Sequence, residues 1–231
     1  IEGYGMTETT APVSLNVLGD YRFGTTGRPL PCNRVKIAPD GEILVKGDNI
    51  ISGYWKMPEQ TAAAFTPDGW LMTGDIGHLD EEGFLVITDR KKDLIITAGG
   101  KNIAPQNIEG LFMQDPLFEN FVVIGDRRKY LTALVTLNLD EAARLARSAG
   151  LDVADPPDLP EREDFRAIVE RHVAERNQHL AKYETIKYFR IVPHAFSEQT
   201  GELTPSLKVK RKVVLEKYQE LIEGMYPADA V

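Results

Sequence analysis

The first part of the chain has its apolar residues in short runs, separated by turns rich in Gly, Pro, Asp and Glu. Val35–Ala38 and Glu42–Lys46 flank a Pro-Asp-Gly turn, and Trp70–Leu79 and Phe84–Thr88 flank an Asp-Glu-Glu-Gly turn. These two hairpins predict a small antiparallel barrel or twisted sheet. Between them, Pro58–Phe65 predicts a short helix with proline in its first turn.

After Arg90 the pattern changes to apolar strands that alternate with amphipathic helices. The predicted strands are Asp93–Thr97, Phe121–Gly125, Tyr130–Leu139 and Ile186–Val192. The predicted helices are Pro105–Gln114, Asp140–Ala149, Glu161–Leu180 and Lys208–Ile222. Asp140 is the expected N-cap of the second of these helices, and Gly150 is its expected stop.

The change of pattern predicts a mixed α/β chain with two domains. Residues 1–90 form a β-rich, barrel-like part, and residues 91–231 form a small α/β domain. The best boundary lies between Arg90 and Asp93, where a run of charged residues separates the two patterns.

Composition and charge narrow the class of protein without giving its function. A hydrophobic content of 42% is typical of a globular domain, and no apolar run approaches the ~18 residues that span a bilayer. The net charge of -8 argues against nucleic-acid binding. Cys32 is the only cysteine, which excludes an intramolecular disulfide and suits a reducing cytosol. We therefore expect a cytoplasmic protein without a transmembrane segment, and peripheral contact with a membrane stays open.

The first candidate site is Gly3-Tyr4-Gly5-Met6-Thr7-Glu8. Two glycines around an aromatic ring allow the backbone to come close to a ligand. The Thr7 hydroxyl and the Glu8 carboxylate are suited to a phosphate and to Mg²⁺, respectively. Taken by itself, the segment is equally compatible with a structural glycine-rich turn.

Further segments extend this pattern along nearly the whole chain. In order, they are Gly41–Gly47, Gly53–Trp55, Thr73–Asp75, Asp89–Asp93, Ala98–Ile103 and Leu203–Arg211. Together with the first site, they resemble the signature segments of the adenylate-forming (AMP-binding) superfamily. Residues 1–90 would then be the C-terminal end of the large adenylation domain, and residues 91–231 the small mobile C-terminal domain.

The resemblance implies a two-step reaction. A carboxylate attacks the α-phosphate of ATP to give acyl-AMP and pyrophosphate, and the thiol of CoA then displaces AMP. ATP, Mg²⁺ and CoA are thus the implied cofactors and co-substrates. Asp89–Thr97 and Thr204–Arg211 look like the long-chain fatty acyl-CoA synthetase branch, which implies a fatty acid as the acyl substrate.

The resemblance also assigns roles to the residues of the first site. Tyr4 would stack on adenine, Gly5 would allow close backbone approach, and Thr7 would lie beside the α-phosphate of ATP. Glu8 would bind the Mg²⁺ that neutralises the polyphosphate.

Three residues further along the chain complete the implied adenylation site. Asp75 is an acceptor suited to the ribose hydroxyls, and Arg90 could reach the ribose or a phosphate. Lys208 is the predicted catalytic residue, because its compact ammonium can bridge the substrate carboxylate and the α-phosphate. Without the resemblance, these would be a turn carboxylate, part of a solvated charge run, and a basic helix face. Where the family commonly has Gly before the catalytic lysine, this chain has Leu207.

The second step and the domain movement are assigned to one short region. Gly99 and Gly100 would line the tunnel for the pantetheine of CoA, and Lys101 would lie near the CoA phosphates or simply on the surface. Lys92 occupies the position of the family's hinge.

The family's phosphate loop and most of its acyl pocket have no counterpart in this sequence. We therefore expect a C-terminal fragment whose structural partner is a missing N-terminal domain, and which is inactive as a ligase without it. Two alternatives stay open: a fatty acyl-AMP ligase that loads a carrier protein, and a non-catalytic module that binds a nucleotide or CoA.

Overall fold

The computed structural model describes residues 2–226 and divides after Leu94 into two compact units. Antiparallel strands dominate the first unit, and the second combines a sheet with helices. The predicted mixed α/β class is confirmed.

The first unit is built from two antiparallel sheets within residues 2–94. A small sheet contains β1 (Gly3–Tyr4), β2 (Ser14–Leu15) and β3 (Arg28–Pro29). The main sheet contains β4 (Asn33–Ile37), β5 (Glu42–Gly47), β6 (Leu71–Leu79) and β7 (Leu85–Arg90) in that order. Helix α1 (Pro58–Ala64) lies between β5 and β6 in the sequence. Both predicted hairpins are confirmed, and the main sheet curls as a half-barrel.

Strand alternation explains where the core of this unit lies. Ile43 and Val45 of β5 and Leu85 of β7 are fully buried, and they pack with Val13 and Tyr4. Along β6, burial alternates strictly from residue 71 to residue 77, as expected for a half-buried strand. A carboxylate, Asp75, falls on the buried face.

The second unit has a central three-stranded sheet. The strands of the whole unit are β8 (Ile95–Ile96), β9 (Asn102–Ile103), β10 (Phe118–Ile124), β11 (Leu131–Leu137) and β12 (Ile186–Ile191), and the last three form the central sheet. Its helices are α2 (Pro105–Phe112), α3 (Leu139–Ser148), α4 (Glu163–Asn177), α5 (Arg211–Lys217) and α6 (Gln219–Glu223). In the sheet, β11 pairs antiparallel with β10 and parallel with β12, and β8 pairs with β9 in a separate small hairpin.

The order of the strands in this sheet explains which of its residues are buried. Each residue of β11 is buried because the strand is central and both of its faces are covered. On one side, Phe112 of α2 stacks on Phe121 of β10 with ring centroids 3.9 Å apart. Phe165 of α4 is also fully buried in this core.

Three predicted helix starts are wrong. Asn138, and not Asp140, caps α3, because its Oδ1 accepts from the amides of residues 140 and 141. The proline-rich segment Pro156–Glu161 forms a 3₁₀ helix, so α4 begins only at Glu163. The last predicted helix begins at Arg211 rather than at Lys208, because the preceding residues pair as a hairpin.

Candidate functional site

Asp75 lies at an irregularity in β6. The register between β5 and β6 shifts there, so that residues 73–75 lie opposite the single residue Ile43. Gly74 has φ of +70°, a left-handed conformation that glycine adopts without strain. Thr73 and Gly74 therefore belong to a bulge inside a continuous strand. Such bulges change the direction of side chains and occur frequently beside active sites.

The structure brings three of the predicted nucleotide-binding residues together around the Asp75 carboxylate. Tyr4 Oη donates a hydrogen bond to Oδ2 at 2.5 Å, and Arg90 Nη1 donates to Oδ1 at 2.8 Å. Asp75 is 5% exposed, whereas the Arg90 side chain is half exposed. A carboxylate has about four acceptor positions, so each oxygen keeps a lone pair for another donor. The carboxylate therefore has acceptor capacity for two further donors.

Tyr4 has a structural role as well as a predicted one. Its ring is 9% exposed and packs in the core of the first unit. Burial and the hydrogen bond to Asp75 raise the pKa of its hydroxyl, which therefore stays protonated and donates. Adenine stacking by this ring stays a prediction.

A second buried carboxylate, Glu42, supports the bulge, and the sequence reasoning missed it. Its Oε1 accepts from the Gly74 amide at 2.9 Å, and its Oε2 accepts from Lys91 Nζ at 2.7 Å. Lys91 also contacts Asp40 at 2.7 Å, and these two hydrogen-bonded carboxylates raise the pKa of Lys91. The available signal was that Glu42 directly precedes the apolar run of β5, and a Glu needs a partner when it is buried.

The remaining residues of the first segment lie on or near the surface. Gly5 and Thr7 are exposed, and both line a surface cavity with Tyr4. A Cβ on Gly5 would come within 3.1 Å of Pro12 Cα, so a side chain there would crowd the neighbouring backbone. A phosphate role for Thr7 stays a prediction.

Glu8 is half-buried in the short 3₁₀ helix Thr7–Thr9. Its Oε1 accepts from Tyr54 Oη at 2.8 Å, and this hydrogen bond raises the pKa of Tyr54. Within residues 2–226, no three His, Cys, Asp or Glu side chains gather as a metal cluster. Mg²⁺ is usually held by one or two carboxylates together with phosphate oxygens and waters. The Glu8 carboxylate is therefore suited to be the single protein ligand of Mg²⁺, and this role stays a prediction.

Lys92 lies in the 3₁₀ helix Lys91–Asp93, just before the division between the units, and its side chain is exposed. It also lines a surface cavity with Thr73, Gly74, Arg90 and Lys91. A hinge at this position stays a prediction.

The predicted CoA loop of the second unit is the turn between β8 and β9. Gly99 and Gly100 are exposed, and Gly100 has φ of +74°. Thr97 closes the turn, since its Oγ1 accepts from the Lys101 amide at 3.1 Å. The Lys101 ammonium lies over the ring of Tyr183, 5.7 Å from its centroid. The loop thus presents open backbone, and its contact with CoA stays a prediction.

Lys208 lies in a small hairpin rather than in a helix. Leu203 and Val209 form a β-bridge, and the Thr204 amide donates to Lys208 O at 2.8 Å. In return, the Lys208 amide donates to Thr204 Oγ1 at 3.0 Å. In the part of the chain that the structure describes, the exposed Lys208 ammonium has neither a hydrogen bond nor an ion pair. Its charge is therefore available to a ligand.

The neighbouring basic residue Arg211 is structural. Its Nη1 donates to Val123 O at 2.7 Å, and its Nη2 contacts Glu109, whose Oε1 also accepts from the Val123 amide at 2.8 Å. Arg211 therefore joins α5 to α2 and β10. Arg211 thus has its hydrogen-bond partners within the chain, whereas the Lys208 ammonium has none among the described residues.

Leu207 provides a stability prediction for this hairpin. Its φ is +59°, and its side chain is 74% exposed, so it carries backbone strain without packing gain. We expect Leu207→Gly to raise the free energy of unfolding by up to about 1 kcal/mol, as measured by urea denaturation. The control Ser206→Gly should lower it, because Ser206 is outside the left-handed region. A lower stability of Leu207→Gly would contradict this explanation.

Family models match both units of the chain. The model described as "AMP-binding enzyme C-terminal domain" matches residues 92–230, and the model described as "AMP-binding enzyme" matches residues 1–55. The chain belongs to the AMP-binding enzyme family.

Individual relatives and solved structures agree with this assignment. The chain is 44% identical over 229 residues to the long-chain-fatty-acid–CoA ligase FadD15 of Mycobacterium tuberculosis, covering 97% of this chain and 38% of that relative. It is similar to the AMP-bound A domain of a carboxylic acid reductase from Segniliparus rugosus (25% identity, TM-score 0.74, 97% of this chain and 34% of that one). It is also similar to ATP-bound MatB from Rhodopseudomonas palustris (29% identity, TM-score 0.69, 95% and 41%). The chain thus spans about two fifths of the length of the curated relative.

None of the helices between residues 2 and 226 combines the length and the apolar character that a membrane span requires.

Proposed function

We propose that this chain is part of an ATP-dependent long-chain fatty-acid–CoA ligase and acts with the region that its relatives carry outside the matched segment. The observation that carries the proposal is the buried Asp75 carboxylate, which Tyr4 and Arg90 hold with acceptor positions to spare. The 44% identity to a ligase with this activity supports the fatty acyl substrate class. We use the term full-length ligase for the longer polypeptide, similar in length to the relatives, of which this chain would be a part.

In the first step, the fatty acid carboxylate attacks the α-phosphorus of ATP, and the bond to the bridging oxygen of pyrophosphate breaks. Asp75 accepts hydrogen bonds from the ribose hydroxyls, and Arg90 adds positive charge on the same side. Lys208 stabilises the negative charge that builds between the carboxylate and the α-phosphate. Mg²⁺, when bound by Glu8 and the phosphates, neutralises the polyphosphate.

In the second step, the sulfur of CoA attacks the acyl carbonyl, the bond to the AMP oxygen breaks so that AMP leaves, and the thiol proton passes to solvent. The open backbone at Gly99 and Gly100 suits the narrow pantetheine arm, and Lys101 supplies a charge for the CoA phosphates. We place this ligase in the cytoplasm, and we propose that Lys92 is the hinge between the two steps.

The test is an assay of the full-length ligase with ATP, Mg²⁺ and palmitate, with and without CoA. The proposal expects palmitate-dependent exchange of pyrophosphate into ATP, and formation of palmitoyl-CoA and AMP when CoA is added. Exchange without any thioester to CoA would indicate a fatty acyl-AMP ligase that loads a carrier protein. Absence of exchange would indicate a binding module and contradict the proposal.

A further inference from the structure

A buried carboxylate, Glu202, lies at the base of the hairpin that carries Lys208. Its side chain is 0% exposed, and three groups donate to it. Lys217 Nζ and Tyr218 Oη approach Oε1 at 2.6 and 2.8 Å, and the Thr200 hydroxyl donates to Oε2. Although burial opposes ionisation, these hydrogen bonds lower the pKa of Glu202 from 4.5 to about 2. The carboxylate is therefore ionised at neutral pH, and both of its oxygens accept hydrogen bonds.

The backbone pairs of the hairpin connect Glu202 to Lys208. The carbonyl of Glu202 accepts from the Lys210 amide at 2.7 Å, next to the bridge between Leu203 and Val209. Thr204 and Lys208 form the following backbone pair. The base of the hairpin is therefore the pair of Glu202 and Lys210, and the Glu202 side chain is held by Lys217 of α5 and the adjoining Tyr218.

Tyr218 extends the network to a further side chain. Its hydroxyl has one proton, which it donates to the Glu202 carboxylate, so its oxygen accepts the hydrogen bond from His194 Nε2 at 2.9 Å. Its ring is buried and stacks on Phe196. Tyr218, which donates to Glu202, is thus held in place by packing as well as by hydrogen bonds.

A buried ion pair is weak evidence for stability, because an apolar replacement of similar volume is often as stable. It does fix geometry, since each of its hydrogen bonds has a direction. Lys208 needs such support, because within residues 2–226 its ammonium has neither a hydrogen bond nor an ion pair to hold it. Only the hairpin sets its position.

We propose that Glu202 is the positioning residue for Lys208: by locking the hairpin base onto Lys217 and Tyr218, it fixes the direction in which the hairpin presents the Lys208 ammonium during acyl-AMP formation. This inference rests on the proposed function, because it requires that Lys208 act in acyl-AMP formation. A displacement of an ångström in such a group is sufficient for a large loss of rate.

The test compares Glu202→Gln with wild type in the two half-reactions of the full-length ligase. We expect the kcat of acyl-AMP formation from palmitate to fall about 10-fold, with the KM for ATP unchanged. Thioester formation from supplied palmitoyl-AMP should keep its wild-type rate. In a Lys208→Ala background, Glu202→Gln should lower the residual rate no further, because the two residues act as one unit.

Controls separate positioning from general damage. Glu198→Gln makes the same chemical change at an exposed residue of the same loop, and it should behave as wild type. If Glu202→Gln does not fold, Tyr218→Phe removes one hydrogen bond to Glu202 and should give a smaller loss in the same half-reaction. Equal losses in both half-reactions, an additive loss in the Lys208→Ala background, or no loss would overturn the inference. A wild-type ligase that forms no acyl-AMP would instead contradict the proposed function itself.

Discussion

Lys208→Ala in the full-length ligase is expected to slow acyl-AMP formation about 10²–10³-fold, corresponding to the loss of roughly 3–4 kcal/mol of transition-state stabilisation. Thioester formation from supplied acyl-AMP should be unchanged, because the proposed contact with the α-phosphate exists only during adenylation. The measurement is pyrophosphate exchange for the first half-reaction and CoA thioester formation from palmitoyl-AMP for the second.

The environment of Lys208 supports this separation of effects. Its ammonium is exposed and unpaired in the described part of the chain, so the substitution removes a charge without breaking a hydrogen bond or an ion pair. Lys212 offers a matched control: its side chain is 89% exposed and lies 3.8 Å from Glu216 one helical turn later. Lys212→Ala should leave both half-reactions unchanged. Equal losses in the two half-reactions for Lys208→Ala would point to a folding role.

The hairpins of the first unit could be predicted from the sequence because their signals are local. A Pro-Asp-Gly turn between Val35–Ala38 and Glu42–Lys46 specifies both the chain reversal and the alternation of its strands. For the same reason, α1 was predicted from Pro58 and a following alanine-rich run. These features need no information from distant residues.

The location of Lys208 was not predictable in this way. Its hairpin contains a single bridge between Leu203 and Val209, too short to show a period of two. The left-handed conformation at Leu207 carries no signal either, since leucine rarely adopts it. The cluster of basic residues therefore looked like the first turn of the helix that begins at Arg211.

Buried carboxylates were missed because their partners are remote in sequence. Glu42 pairs with Lys91, and Glu202 pairs with Lys217. A short window of sequence shows that Glu42 adjoins an apolar run, but it does not show which distant residue pairs with it. The roles of Asp75 and Arg90 came from the family resemblance, while their direct contact with each other emerged only from the bulge and the pairing of β6 with β7.

Asp75→Ala is expected to raise the KM for ATP about 10²-fold in the full-length ligase. It removes the acceptors proposed for two ribose hydroxyls, and a hydrogen bond to a charged group is worth roughly 1.5–3 kcal/mol. It also leaves the buried Tyr4 hydroxyl without its acceptor, so we expect a loss of about 1–3 kcal/mol in the free energy of unfolding. Steady-state kinetics and urea denaturation measure the two effects separately.

Two comparisons show whether the ribose contact or the support of Tyr4 causes the kinetic effect of Asp75→Ala. Tyr4→Phe removes only the hydroxyl that donates to Asp75, and it should raise the KM for ATP less than about 10-fold. With 2′-deoxy-ATP, the wild-type ligase should show a higher KM than with ATP, and Asp75→Ala should lose this discrimination. If Tyr4→Phe reproduced the full loss, or if Asp75→Ala still discriminated against the deoxynucleotide, Asp75 would be a support for Tyr4 and not the ribose acceptor.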